Sequence, residues 1–123
     1  MVIAVDFDGT IIEGGNFPSL GPSLPYAFEV LNFIKSKGHK LILWTCRGGE
    51  SLDIAVKFCR DNGLEFDAIN ENINPEQYVH TSNKIVANIY IDDAAYPVIK
   101  RELFEGKPAI DWLEIGKDFG FNP

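Results

Sequence analysis

Apolar positions along this chain follow two alternating rhythms. Residues 2–7 (Val-Ile-Ala-Val-Asp-Phe) and 41–44 (Leu-Ile-Leu-Trp) are short, mainly apolar runs, and each leads into polar residues and glycine. Such short runs read as strands buried on both faces, as in a parallel sheet. Residues 66–69, part of 85–91, and 108–112 read as three further strands. Between these runs the spacing changes to that of a helix. Leu24, Phe28, Leu31 and Ile34 share one helical face, with Pro25 suited to the first turn and Gly38 to the position after the last. Leu52, Ala55, Val56 and Cys59 mark a second helix that stops at Asn62-Gly63. Residues 96–104 read as a third helix. Residues 14–25 hold three glycines and three prolines and form a loop. Residues 70–82 are polar and carry Pro75, which makes them a loop with room for one helical turn.

Strands alternating with helices make βαβ units. The expected architecture is therefore a three-layer, Rossmann-like α/β fold with a mainly parallel five-stranded sheet. At 123 residues, the whole chain (1–123) has the size of a single domain.

Composition narrows the function classes. Hydrophobic residues make up 46% of the chain and charged ones 24%, ordinary for a soluble globular protein. No apolar run approaches the ~18 residues of a membrane span. Met1-Val2-Ile3-Ala4-Val5 lacks a basic leader and meets Asp6 directly, which argues against a signal peptide. Two cysteines, Cys46 and Cys59, are too few for a disulfide framework, and a reducing, cytoplasmic setting is expected. The net charge of −7, from 18 acidic and 11 basic residues, argues against nucleic-acid binding, which needs a basic stripe to replace counterions. Lys35, Lys37 and Lys40 cluster only around a helix end, where the helix dipole favours cations.

Candidate chemistry collects at strand ends. Asp6 and Asp8 end the first expected strand, Thr45 the second, and Asp92 and Asp93 the fourth; Lys84 lies just before that fourth strand. In open parallel sheets ligands bind beyond the carboxyl ends of the strands, so the fold would gather these residues on one edge. Four carboxylates in one place repel each other unless some are protonated or a cation sits among them. Oxygen-only ligands favour a hard ion, and Mg²⁺ is the usual partner of phosphate. Thr45, Arg47 and Lys84 would then supply a hydroxyl and positive charge to a phosphoryl group. Gly9 would let backbone N–H groups come close to its oxygens. Cys46 is expected to pack as a small residue at a strand end. His39 and His80 have no partner spacing for metal or triad chemistry.

Asp6-Phe7-Asp8-Gly9-Thr10, Thr45, Lys84 and Asp92-Asp93 together resemble the four motifs of the haloacid dehalogenase superfamily of phosphotransferases. The resemblance runs from Val2 to Asp93. It implies that Asp6 is the nucleophile that forms an aspartyl-phosphate and that Asp8 is the general acid and base. It also implies that Thr45 and Lys84 hold the phosphoryl oxygens. Mg²⁺ would be held by the Asp6 carboxylate, the Asp8 backbone carbonyl and one carboxylate of the Asp92-Asp93 pair. An acid at position 8 matches the phosphatase and mutase branch, so the implied activity is Mg²⁺-dependent hydrolysis of phosphomonoesters.

Members of that superfamily often carry a cap domain, and neither interval here, 11–40 or 46–83, has room for one. A capless site is expected to take large phosphorylated substrates, or to be closed by a second copy of the chain. Glu13, Asn16, Phe17 and the loop 70–80 are candidates for its rim. The alternative reading is a phosphate-responsive binding or regulatory module. Receiver domains use similar groups, but they place the phosphoacceptor Asp after the third strand and the acidic pair after the first, the reverse of this order.

Overall fold

The computed structural model describes residues 1–78, 83–96, 100–104 and 106–123. Four strands, β1 (Val2–Val5), β2 (Lys40–Leu43), β3 (Ala68–Ile69) and β4 (Ile89–Ile91), form a parallel sheet in the order β3-β2-β1-β4. Two helices, α1 (Ala27–Ser36) and α2 (Gly49–Asp61), link the first three strands, and α3 (Trp112–Asp118) follows near the C-terminus. A separate antiparallel pair, β5 (Lys100–Phe104) and β6 (Lys107–Ile110), precedes α3. The fold is mixed α/β.

The pleat of β1 sorts the core. Ile3 and Val5, level with Leu41 and Leu43, share one cluster with buried residues of all three helices. Ala4 and Ile42 point the other way, into a smaller cluster with Ala68 and Ile85. This division follows from connection geometry. The β1–α1–β2 and β2–α2–β3 crossovers step in the same direction, and right-handed crossovers put both helices on one face. The link from β3 to β4 steps back past β1 and so belongs to the opposite face. Its described residues contain one 3₁₀ turn, Pro75–Tyr78, and contribute Ile73 and Ile85 to the smaller cluster.

The helix and strand boundaries follow the punctuation. Gly38 (φ 91°) and Gly63 (φ 81°) take the left-handed conformation that ends α1 and α2. Pro25 lies two residues ahead of α1 instead of inside its first turn.

Three expectations need correction. The fifth strand is not part of the parallel sheet: residues 107–110 pair antiparallel with 100–104, and Asp111 caps α3 by accepting the Glu114 N–H at 3.1 Å. Residues 100–104 are a strand, not a helix; Gly106 (φ 71°) allows the chain to turn back, and cross-strand pairing overrides their helical propensity. Of the rest of that expected helix, Tyr96 lies exposed in a bend and residues 97–99 are outside the described residues. Cys46 is exposed instead of packed, while Cys59 is buried in α2 and its thiol is pushed up to about 12 by burial. His39 sits edge-on to Phe119, and His80 lies outside the described residues. Among the described residues no helix is long and apolar enough to cross a membrane.

Candidate functional site

The chain leaves β1 through Asp6, whose N–H still donates to the Ile91 carbonyl at 2.9 Å. It then turns tightly, with the N–H groups of Thr10 and Ile11 both donating to the Phe7 carbonyl at 3.1 and 2.9 Å. Buried Phe7 and Ile11 anchor the turn in the core. Gly9 adopts φ 84°, and a Cβ there would stand 2.5 Å from Asp93 Oδ2. Conformation and close approach both require glycine at this point. The order of strands reverses between β1 and β4, so their carboxyl ends flank the crevice where α/β sheets bind ligands.

Asp6, Asp92 and Asp93 meet at that crevice, each offering a carboxylate oxygen within 4.8 Å of the others. Thr10 ties the turn after β1 to the end of β4. Its hydroxyl lies 3.1 Å from Asp6 Oδ2 and accepts the Asp93 N–H at 3.0 Å. The Thr10 carbonyl in turn accepts the indole N–H of fully buried Trp112 at 2.7 Å. Without a cation the cluster is under electrostatic strain. Burial, then the charge of Asp92, then the Asp93 side chain push the Asp6 carboxyl up from 3.8 to about 7.

That shift has a defined sign. Unfolded Asp6 loses its proton near pH 3.8, whereas folded, metal-free Asp6 keeps it until about pH 7. Its contribution to stability is therefore full below pH 3.8, falls as pH rises, and is gone above about 7. Asp6→Asn is permanently neutral, so in EDTA its melting temperature should exceed that of the wild type by a few degrees at pH 8. Near pH 4 the two should nearly coincide. Thermal melts across this range check it; a constant difference would contradict the assigned shift.

Asp8 turns away from this cluster. Its two oxygens accept from Arg47 Nε and Nη2, both at 2.8 Å, in a forked pair. Arg47 is 2% exposed, and its remaining donors go to the carbonyls of Pro18, Ser19 and Ser51 at 2.9, 2.9 and 3.2 Å. Every N–H of the guanidinium is thus engaged within the protein. The expectation that Arg47 grips phosphate is corrected on that ground. Thr45 does lie at the right edge: Trp44 N–H donates to Val5 carbonyl, and the Thr45 N–H donates to Asn70 Oδ1 at 2.8 Å. Its hydroxyl oxygen accepts the Arg47 backbone N–H at 3.1 Å, which leaves the hydroxyl hydrogen available to a ligand.

Lys84 is not gathered with the carboxylates. It is exposed, and its ammonium stands 5.3 Å from the centre of the Tyr90 ring, which belongs to the smaller core cluster. Tyr90 is itself held by a hydrogen bond from its hydroxyl to the Ile85 carbonyl. Lys100, which the sequence did not single out, shares a cavity of about 190 Å³ with Gly9, Glu13 and Asp93. Thr10 and Asn70 are the other contributors missed. Thr10 sits inside the Asp6–Thr10 run, so its position was a usable signal; Asn70 and Lys100 had none. A larger cavity of about 610 Å³ runs along β4 between Ile89, Ile91, Ile115 and Phe119, and meets the acidic cluster only at Asp92. It is mainly apolar, with Lys37, His39 and Asp118 also on its wall, whereas the smaller cavity meets the cluster at Asp93.

No known family profile matches the chain, and no curated protein matches it. Among solved structures, it is similar to a conserved protein coded by a locus of Bacteroides thetaiotaomicron. The two are 39% identical and superpose with a TM-score of 0.80, over 97% of this chain and 88% of the other. The chain belongs to the family of that conserved protein.

Proposed function

We propose that this protein is a Mg²⁺-dependent phosphomonoesterase of the haloacid dehalogenase type, working through an aspartyl-phosphate on Asp6. The observation that carries the reading is the meeting of Asp6, Asp92 and Asp93 at the reversal of strand order, with Asp8 two residues from Asp6. On this reading the fold is the Rossmann-like, capless one of that superfamily. The described residues 70–78 and 83–88 then supply cover on the second face of the sheet.

Three carboxylates, with no nitrogen or sulfur donor among the described residues of the cluster, suit a hard divalent ion. Mg²⁺ held by Asp6, Asp92, Asp93 and the Asp8 carbonyl would offset the negative charge of the carboxylates and the phosphoryl group. An Asp6 oxygen attacks phosphorus, forming the Asp6 O–P bond as the bond to the leaving oxygen breaks. Asp8 gives its proton to that leaving oxygen. A water then attacks the same phosphorus, its proton passes to Asp8, and the Asp6 O–P bond breaks to free Asp6. The Thr45 hydroxyl donates to a phosphoryl oxygen during both steps. Positive charge for that group comes from Lys84, once it leaves the Tyr90 ring, or from Lys100 in the adjoining cavity.

Hydrolysis of p-nitrophenyl phosphate is expected with Mg²⁺ and not with EDTA. A panel of sugar, nucleotide and small-acid phosphates would then rank substrates. Failure to turn over any of them with Mg²⁺ present, alongside stable phosphorylation by acetyl phosphate, would favour the regulatory module instead.

A further inference from the structure

Among the described residues Arg47 is the most deeply buried charged side chain, and its surroundings go beyond an ordinary ion pair. The centres of the Phe7 and Phe17 rings lie 5.1 and 5.2 Å from its guanidinium carbon. Phe7 is fully buried, whereas Phe17 is 61% exposed on the loop that follows the acidic turn. The same guanidinium holds the carbonyls of Pro18 and Ser19 in that loop and of Ser51 in α2. One buried cation therefore joins the end of β1, the exposed loop and the helix after β2.

We infer that Arg47 is a positioning residue that aims Asp8 at the leaving oxygen, an inference that rests on the phosphatase reading. Arg47 takes only one lone-pair site on each Asp8 oxygen, and an ionised carboxylate has about four such sites in all. The plane of the carboxylate is fixed by the fork, while the second site on each oxygen stays free to carry the travelling proton. A buried guanidinium with no spare donor cannot bind the phosphoryl group, so its effect is felt at proton transfer. The exposed rim at Phe17 is pinned by the same group, which keeps the approach to Asp8 constant in shape.

Proton delivery matters in proportion to the basicity of the leaving oxygen. An alkoxide needs a proton from Asp8 as it departs; p-nitrophenolate leaves without one. Lysine offers three donors from one nitrogen and cannot form the fork while holding three carbonyls. In Arg47→Lys with Mg²⁺, kcat on glycerol phosphate should fall about 100-fold, and kcat on p-nitrophenyl phosphate less than about 10-fold. KM should stay near the wild-type value for both. Equal losses on the two substrates, or a loss confined to KM, would overturn the inference. Circular dichroism reports whether Arg47→Lys folds. If it does not, Phe17→Ala carries the test, because it opens one side of the guanidinium to water by changing only an exposed ring. It should weaken glycerol phosphate turnover several-fold more than p-nitrophenyl phosphate turnover, and an equal change on both overturns the inference. A wild-type chain inactive on both substrates and on the whole phosphate panel would overturn the phosphatase reading itself, and this one with it. Wild-type turnover with an unselective Arg47→Lys loss overturns the inference alone.

Discussion

Asp6→Asn should lower Mg²⁺-dependent turnover of p-nitrophenyl phosphate by about four orders of magnitude or more, the scale seen when a covalent nucleophile is removed. The amide has no anionic oxygen to attack phosphorus. It also takes one of the three carboxylates out of the cluster, so Mg²⁺ should raise the melting temperature of the wild type and raise that of the variant much less. The fold should survive the change. In the metal-free protein the Asp6 charge is a liability, since burial and Asp92 already push its carboxyl up to about 7. A neutral isostere removes that liability and keeps the hydrogen-bonding reach toward Thr10. Stopped assays with titrated Mg²⁺, combined with melting curves, separate the chemical loss from the metal loss. An Asp6→Asn chain that keeps more than about a hundredth of wild-type kcat would rule out Asp6 as the nucleophile.

Trp112→Ala should have the largest effect on stability, about 4 kcal/mol, the middle of the range for truncating a buried aromatic. Trp112 has no exposed surface, and it joins the main core with residues of β1 and α1. Its indole N–H also satisfies the Thr10 carbonyl at 2.7 Å, so truncation leaves that carbonyl without its partner. An unmet buried acceptor costs about 1–3 kcal/mol. Against a total of roughly 5–15 kcal/mol for a typical domain, the variant would be close to unfolding at 37 °C. Urea titration of Trp112→Ala and Trp112→Phe divides the effect: phenylalanine restores most of the volume and none of the hydrogen bond. An unchanged midpoint for the alanine variant would show that α3 does not support the turn at Thr10. This contact gives the C-terminal segment a definite role, because it braces the loop that carries Asp6 and Asp8.

The site was legible in the sequence where function depends on positions next to strands. Asp6, Thr45, Asp92 and Asp93 each follow a strong apolar run, and a parallel sheet must bring such ends to one edge. Gly9 was singled out for the approach of backbone N–H groups to phosphate, whereas its positive φ and the nearness of Asp93 became visible only in the fold. Arg47 was misread as a phosphate ligand. A charged residue two places after Thr45 looks the same in the sequence whether it faces solvent or lies under a loop that begins thirty-odd positions earlier. Where the Lys84 ammonium rests was not legible for a related reason: a long flexible side chain can reach in several directions, and Tyr90 beneath it was visible only as another strand residue.

Periodicity determined the first half of this protein. Amphipathic stripes of helical spacing specify α1 and α2, and the shortness of the apolar runs, with the polar residues and glycines that bound them, specifies β1 and β2. The last quarter was decided by tertiary contact. Residues 100–104 have the composition of a helix, yet they pair with 107–110, and Trp112, expected to end a strand, begins α3. A local pattern records that a side chain is to be buried; which distant group covers it, or which partner takes its hydrogen bonds, depends on contacts the pattern does not contain. The acidic turn after β1 was therefore readable from the chain alone, and the Arg47 and Trp112 contacts that hold it required the folded molecule.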